Sequence, residues 1–290
     1  MKNFKIYGRL INLFLLLCSS VPCHGQEETV LERIEKTGLL KVGIREDAVP
    51  FGYRDINGDL EGLCLDFIAV LREELKDKLN KQVIAIKLYK STLFNRFELV
   101  SDRIVDIECG PNTIRELPEY QIQFSRPFFL TGTQLLIEAD KAKTVDPDGS
   151  LENINIGVLK NTTNEQLISE TYPLANLVQF QGVTGRYRGI QALRGDKIDA
   201  FASDGILLVG EAIVQDLRLG VDYLLVPNNP IDCEEYGLIL PNNDPQWVSF
   251  INSLIGTSPA RNLYLNWFGD IAKQLESIQS FCRAKNGDLD

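Results

Sequence analysis

The chain is expected to fold as an α/β protein built from two lobes, and three observations carry that expectation. Short apolar runs of strand character alternate with helical patterns along most of its length, the order that builds helix-covered sheets with mainly parallel strands. A weak internal echo is present: Asp102-Arg103-Ile104-Val105-Asp106 and Gly195-Asp196-Lys197-Ile198-Asp199 each join a helical stretch to a strand through a charged turn. Strands also end repeatedly at polar loops, at Arg45, at residues 111–115, at residues 161–164 and at Ser203-Asp204. Open α/β sheets hold ligands at such strand ends, so the recurrence predicts a shared cleft.

Taken in order, residues 29–36 read as an amphipathic helix, with Val30, Leu31 and Ile34 apolar, stopped at Thr37-Gly38. Residues 39–44 read as a strand running into Arg45, and Asn57-Gly58 marks a tight turn. After Gly62 comes a helix that Asp66 can cap, with Phe67, Ile68, Leu71, Leu75 and Leu79 on one face. Residues 83–89 form a strand, 93–100 a helix and 103–109 a strand that Gly110-Pro111-Asn112-Thr113 stops. Past that break, free backbone N–H groups, the Thr113 hydroxyl and the Arg115 guanidinium fall within three positions. Those are the parts of a carboxylate site; a solvated loop with a surface arginine is the plain alternative.

The second half repeats the alternation. Residues 134–137 read as a strand, 140–149 as a polar connection, and 155–159 as a strand that stops at Lys160-Asn161-Thr162-Thr163-Asn164 before a helix over 165–171. A strand over 177–180 leads through Gly185-Arg186-Tyr187-Arg188 to a helix over 189–193. Strand 198–202 ends at Ser203-Asp204 before a helix over 206–214. Strands at 223–226 and 236–240, helices at 244–254 and 259–267 and a polar tail to Asp290 complete the reading.

The first 25 residues combine Lys2, Lys5 and Arg9, an apolar core from Leu10 to Leu17 and the small-residue exit Cys23-His24-Gly25. That is a secretory signal peptide, expected to be cleaved after Gly25, and its core is short for a membrane span. Lipid attachment at Cys18 or Cys23 is disfavoured, because Leu17 and Pro22 precede them where a small residue is wanted. Cleavage removes three of the 30 basic residues and none of the 40 acidic ones, leaving a net charge of −13 on 265 residues. Such a surface disfavours nucleic acid and anionic membranes. The single histidine, His24, leaves with the signal, which excludes histidine-based nucleophilic catalysis and the usual zinc sites. Four cysteines remain, and their spacing fits no metal motif; no cofactor is implied.

On these elements the chain resembles the polar amino acid-binding proteins of ABC importers (bacterial solute-binding protein family 3) over roughly residues 31–269. The segments LERIEKTGLLKVGIRED with INGDLEGLCLDF, ECGPNT with QFSRPFFLTGTQLLI, LRGDKIDAFASD and YGLIL carry the resemblance in the family's order. It implies a two-lobed periplasmic binding protein fold (type II). Two mixed sheets flanked by helices are joined by two crossover strands, and the lobes close on a ligand by a hinge. Carried over, residues 26–130 plus 232–290 form lobe 1 and residues 131–231 form lobe 2. The implied partners are a small amino acid and a membrane permease, in a periplasmic monomer without enzymatic activity.

The motifs are most similar to those of glutamate/aspartate-binding members. The resemblance implies that Arg45 and Arg96 face a side-chain carboxylate and Thr113 an α-carboxylate. It likewise implies that Thr162 and Thr163 add second-lobe hydroxyls and that Asp204 pairs with an α-ammonium. Three departures bear on the ligand: Pro118 stands where the family has its α-carboxylate arginine, Leu93 where relatives carry a hydroxyl, and the Arg186-Tyr187-Arg188 cluster is unusually basic. Arg115 is expected to replace the missing arginine, with Arg186 as the second candidate. Plain alternatives are a surface ion pair for Arg45, a solvated Arg96 and a helix cap for Asp204; Tyr53 and Tyr187 are cleft walls or ordinary packing. Cys233 and Cys282 are expected to form a disulfide tying the return strand to the tail, and Cys64 and Cys109 to stay buried thiols. An enzyme on the same fold, like the cyclohexadienyl dehydratases, and a sensing module for a separate receptor are the alternative functions.

Overall fold

Thr29 caps the first helix by accepting the N–H of Glu32, whose carboxylate accepts the N–H of Thr29 in return. The pair satisfies donors that a helix start leaves orphaned. The computed structural model describes residues 28–286. The signal-peptide reading, with Cys18, Cys23 and His24, lies outside the described residues.

In chain order the elements are α1 (Val30–Thr37), β1 (Leu39–Arg45), β2 (Asp47–Ala48), β3 (Gly52–Arg54), β4 (Leu60–Glu61), α2 (Leu63–Lys78), β5 (Ala85–Ser91), α3 (Arg96–Ser101), β6 (Ile107–Cys109), β7 (Ile122–Phe124) and β8 (Phe129–Thr131). They continue with β9 (Thr133–Glu138), β10 (Asn155–Leu159), α4 (Thr163–Thr171), β11 (Asn176–Phe180), α5 (Gly185–Arg194), β12 (Ala200–Asp204), α6 (Gly205–Val214) and β13 (Tyr223–Val226). The last are β14 (Glu234–Tyr236), β15 (Ile239–Pro241), α7 (Pro245–Ile255), α8 (Ser258–Phe268) and α9 (Ala272–Asn286).

Two five-stranded sheets organise these elements, ordered β5-β1-β6-β15-β7 and β11-β10-β12-β9-β13. Each has three parallel strands on one side and antiparallel neighbours on the other, so both are mixed rather than mainly parallel. β8 and β14 pair antiparallel, Thr131 opposite Glu234 and Phe129 opposite Tyr236. These two strands carry the chain from one lobe to the other and back. The first sheet is packed by a large apolar cluster around Leu40, Phe51, Leu71, Tyr236 and Trp247. The second has apolar clusters on its two faces, around Ile156 and Ile168 and around Ile190 and Phe201.

Several expected elements differ for identifiable reasons. Gly62 takes the start of α2 at φ +133°, where a Cβ would lie 2.3 Å from the Phe51 carbonyl oxygen. The helix therefore begins before Asp66, which instead accepts the Trp267 indole N–H at 2.8 Å. The strand over 103–109 is confined to β6 because Arg103 is left-handed, at φ +57°. The strand over 236–240 divides, one part serving the crossover and the other the first sheet. The polar tail is the helix α9, with Leu275, Ile278 and Cys282 buried. No helix among the described residues is long and apolar enough to cross a membrane.

Cys233 and Cys282 are bonded, which fastens α9 to the segment entering β14. Cys64 and Cys109 are not free thiols. Their sulfurs are 2.04 Å apart, joining the first turn of α2 to the end of β6. Both side chains point into the same apolar layer between helix and sheet, an adjacency that sequence spacing does not reveal. The bridge spans 45 residues, and a loop of that length stabilises by about 4 kcal/mol through the unfolded state. Replacing both cysteines by alanine is expected to lower the unfolding free energy by that order in urea denaturation.

Candidate functional site

The ends of β1, β6, β10 and β12 converge on one cavity between the lobes. From the first lobe it is lined by Arg45, Leu93, Arg96, Pro111, Thr113 and Arg115. The second lobe contributes Thr162, Thr163, Asn164, Arg186, Asp204 and Leu207. All eight residues named from sequence as ligand-facing therefore meet at one place.

Arg45 closes β1 and is wholly buried. Its side chain passes over Gly110, where a Cβ would lie 2.7 Å from Arg45 Cγ. Nε donates to Asp47 Oδ1 at 2.7 Å, while Nη1 and Nη2 have no acceptor in the protein. The surface ion pair weighed for this residue is thus a buried one. Burial pushes the Asp47 carboxyl up, but the charge and hydrogen bond of Arg45 outweigh it and hold Asp47 below its usual value. Arg96 starts α3, because Thr92 donates to the Asn95 side chain and delays the helix past Leu93. Nη1 of Arg96 donates to the Leu93 carbonyl, its guanidinium lies 4.3 Å from the Phe97 ring centre, and Nε is buried without a partner. Burial first, and the neighbouring Arg45 and Arg115 charges next, push Arg96 down to about 9. Arg115 also lies over Phe97, at 5.8 Å, with Nε buried and unpartnered.

In the second lobe, α5 begins at Gly185, so Arg186 and Arg188 sit on its first turn rather than in a loop. Arg186 is buried and donates to the Asp47 carbonyl of the other lobe at 2.8 Å; its Nε has no protein acceptor. Arg188 is exposed and donates to the Gln181 carbonyl. Tyr53 points at Glu61, outside the cavity, and Tyr187 is half exposed.

Asp204 ends β12 and precedes α6, but its carboxylate makes no cap hydrogen bond. It accepts instead from the Tyr236 hydroxyl and, at 2.9 Å, from Asn164 Nδ2. Burial pushes Asp204 up despite those two bonds. Thr162 lines the cavity as the cap of α4, with its hydroxyl donating to the Leu159 carbonyl. Thr163 opens that helix, whose N-terminal end favours anions.

Three participants have no role that the sequence assigns. Asn164 orients Asp204 and also donates to Thr133 Oγ1 at 2.8 Å; its position directly after Thr163 is the available signal. Glu108, fully buried on β6, accepts from Ser91 and Asn112 and faces the charges of Arg45 and Arg96. Glu234 on β14 lies with Oε2 2.5 Å from Thr113 Oγ1. No local pattern marks it, because its partner is 121 residues away.

The cavity thus gathers five buried guanidinium nitrogens on four arginines without protein acceptors, opposite one buried carboxylate and the start of a helix. Unpaired buried donors of this kind are costly unless an acceptor meets them. Two helix-flanked mixed sheets with a cleft at their strand ends place the protein among bilobal solute-binding proteins. Residues 40–270 match the bacterial extracellular solute-binding proteins, family 3, and the chain belongs to that family.

Among its relatives, the glutamate/aspartate import solute-binding protein of Escherichia coli strain K12 is 28% identical over 242 residues, covering 83% of this chain and 78% of that protein. The L-glutamate/L-aspartate-binding protein of Pseudomonas aeruginosa is 26% identical, covering 86% and 83%. Cyclohexadienyl dehydratase of P. aeruginosa is 26% identical, covering 84% and 85%. A crystal structure of an ancestral amino acid-binding protein, a precursor of cyclohexadienyl dehydratase, superposes with a TM-score of 0.68 at 22% identity, covering 83% of this chain and 99% of that one.

Proposed function

We propose that the protein captures an acidic L-amino acid, glutamate or aspartate, in the interlobe cleft and delivers it to an ABC importer permease from the periplasm. The observation that carries this reading is the set of unpaired buried arginine nitrogens around one cavity. A dicarboxylate supplies acceptors for them, and Asp204 supplies the counter-charge for an α-ammonium. Residues 26–130 with 232–290 act as one lobe and 131–231 as the other. The ligand joins them, and the site performs no chemistry on it.

Within this reading Arg45 and Arg96 hold the side-chain carboxylate, and Thr113 with Arg115 the α-carboxylate, Arg115 acting for the arginine that Pro118 displaces. Removing a buried, bidentate charge partner costs ~2–5 kcal/mol of binding. Arg115→Ala is therefore expected to weaken L-glutamate binding by at least about 30-fold in calorimetry on refolded protein, with an unchanged melt. If Arg115→Ala binds normally and Arg186→Ala does not, the α-carboxylate anchor lies in the second lobe. Tight binding of a neutral or basic amino acid with none of glutamate or aspartate would overturn the specificity.

A further inference from the structure

Glu234 is the one buried acid of the crossover strands that the proposed ligand contacts leave unused. It sits on β14 with 4% of its surface exposed. A hydroxyl from each lobe acts on its carboxyl. Thr113 Oγ1 is 2.5 Å from Oε2, and the Thr163 hydroxyl at the start of α4 is among the groups that act on its ionisation. Thr113 is itself held at the crossover by a bridge to Tyr236, next to the hydrogen bond from Ile114 N–H to the Glu235 carbonyl.

A threonine hydroxyl has a single proton to give, and an ionised carboxylate can only accept. With Glu234 ionised, Thr113 donates to it, and only oxygen lone pairs face the cleft. A ligand carboxylate is then met by lone pairs with a buried negative charge behind them. With Glu234 protonated, its O–H donates to Thr113 Oγ1, and the Thr113 proton is free for the ligand carboxylate. We infer that Glu234 is a positioning residue that turns Thr113 toward the bound α-carboxylate, and that it does so only in its neutral form. This rests on the proposed function, in which Thr113 faces the ligand.

The surroundings favour the neutral form. The charged and titratable groups around Glu234 are Asp204 at the end of β12, Asp232 just before β14, Tyr236 on β14 and, acting on Asp204 and Tyr236, Arg186 of α5. Burial first, then Asp204, pushes Glu234 up to about 8. A ligand ammonium at Asp204 offsets one of these influences, which leaves the direction of the Thr113 hydroxyl as the ligand-dependent element.

The test is calorimetry with L-glutamate from pH 6 to pH 9 on the unaltered protein, Glu234→Gln and Thr113→Val, with L-aspartate, L-glutamine and L-cystine as further probes at pH 6. The glutamine amide can donate to Thr113 without titrating. The unaltered protein should bind with constant Kd below about pH 7 and lose affinity toward tenfold per pH unit above about pH 8, the slope of a single linked proton. Glu234→Gln should match it at pH 6 and show no such loss relative to it at pH 9; the ligand's own titration is common to both. Thr113→Val should bind weakly throughout. Independently of any variant, binding at pH 8.5 in two buffers of different ionisation enthalpy should register proton uptake approaching one. No uptake, a profile in Glu234→Gln that parallels the unaltered one, or binding lost in Glu234→Gln at pH 6 overturns the role of Glu234. No binding of any probe at pH 6 overturns instead the proposed function and this inference with it.

Discussion

Arg45→Met is expected to weaken L-glutamate binding by at least about 30-fold and, in addition, to lower the stability of the ligand-free protein. The two effects have separate origins in one side chain. Nη1 and Nη2 form a buried fork without protein acceptors, and a desolvated carboxylate that meets no cation loses ~2–5 kcal/mol, from about 30-fold to several thousandfold in Kd. Nε is the hydrogen-bonding partner of Asp47, a largely buried carboxylate. Removing it leaves an uncompensated charge, which typically costs 3–5 kcal/mol; the nearby Arg186 charge places the expectation at about 3 kcal/mol. The pH dependence follows. Because Arg45 depresses Asp47 in the folded state, its contribution is complete above the unfolded value of 3.8 and is lost as pH falls through the lower folded value. Urea denaturation should show the Arg45→Met deficit in full at pH 7 and a shrinking one below pH 3.8. Arg45→Lys keeps a charge but not the fork, so it should recover part of the stability and little of the affinity. Glutamate binding by Arg45→Met within a few-fold of the unaltered protein would remove Arg45 from the site.

Much of the fold and of the cleft is legible in the amino-acid sequence, for reasons that differ by residue. Arg45 and Asp204 end strands, Thr113 and Thr163 follow four residues after strand ends, and chain order alone sends those ends to one edge of each sheet. The strands over Tyr223–Val226 and Asn155–Leu159 are recognisable because continuous apolar runs between turn residues admit few alternatives. The supporting carboxylates are not recognisable. Glu108 and Glu234 look like ordinary strand positions, and what makes them unusual is burial against residues distant in sequence. Thr162 is the converse case. It lies in the cleft as its sequence position implies, but the local demand of capping α4 directs its hydroxyl to the Leu159 carbonyl. In α9 the helical signal is present but diluted: Leu275, Ile278 and Cys282 recur at helical spacing within a stretch whose polar residues make it read as a tail. For Cys64 and Cys109, the pairing depends on how α2 packs over β6, which follows from the register of the fold and not from the count of cysteines.

Gly210→Ala is expected to weaken ligand binding by about 5- to 150-fold without lowering the thermal midpoint of the ligand-free protein. Gly210 lies on α6 of the second lobe, and a Cβ there would stand 2.4 Å from the Val49 carbonyl oxygen and 2.7 Å from its carbon, in the first lobe. Backbone atoms cannot yield as a side chain would. The same face of α6 buries Ile206 and Leu207 in the apolar cluster that contains Ala48 and Phe51, and Arg186 bonds the Asp47 carbonyl beside them. In this structure the second lobe thus seats on the segment from Asp47 to Phe51, which makes it the expected closing contact. With the lobes apart, an added methyl at 210 points to solvent, and alanine in place of a helical glycine favours α6 by up to ~1 kcal/mol. With the lobes together, overpacking costs ~1–3 kcal/mol. A substitution that burdens only the closed form reduces affinity by the cost it adds to that form. Small-angle scattering should show the contraction of the glutamate-saturated protein reduced in Gly210→Ala at subsaturating ligand and restored at high ligand. Unchanged Kd together with an unchanged scattering profile would mean that α6 and the Val49 carbonyl do not form the closing contact.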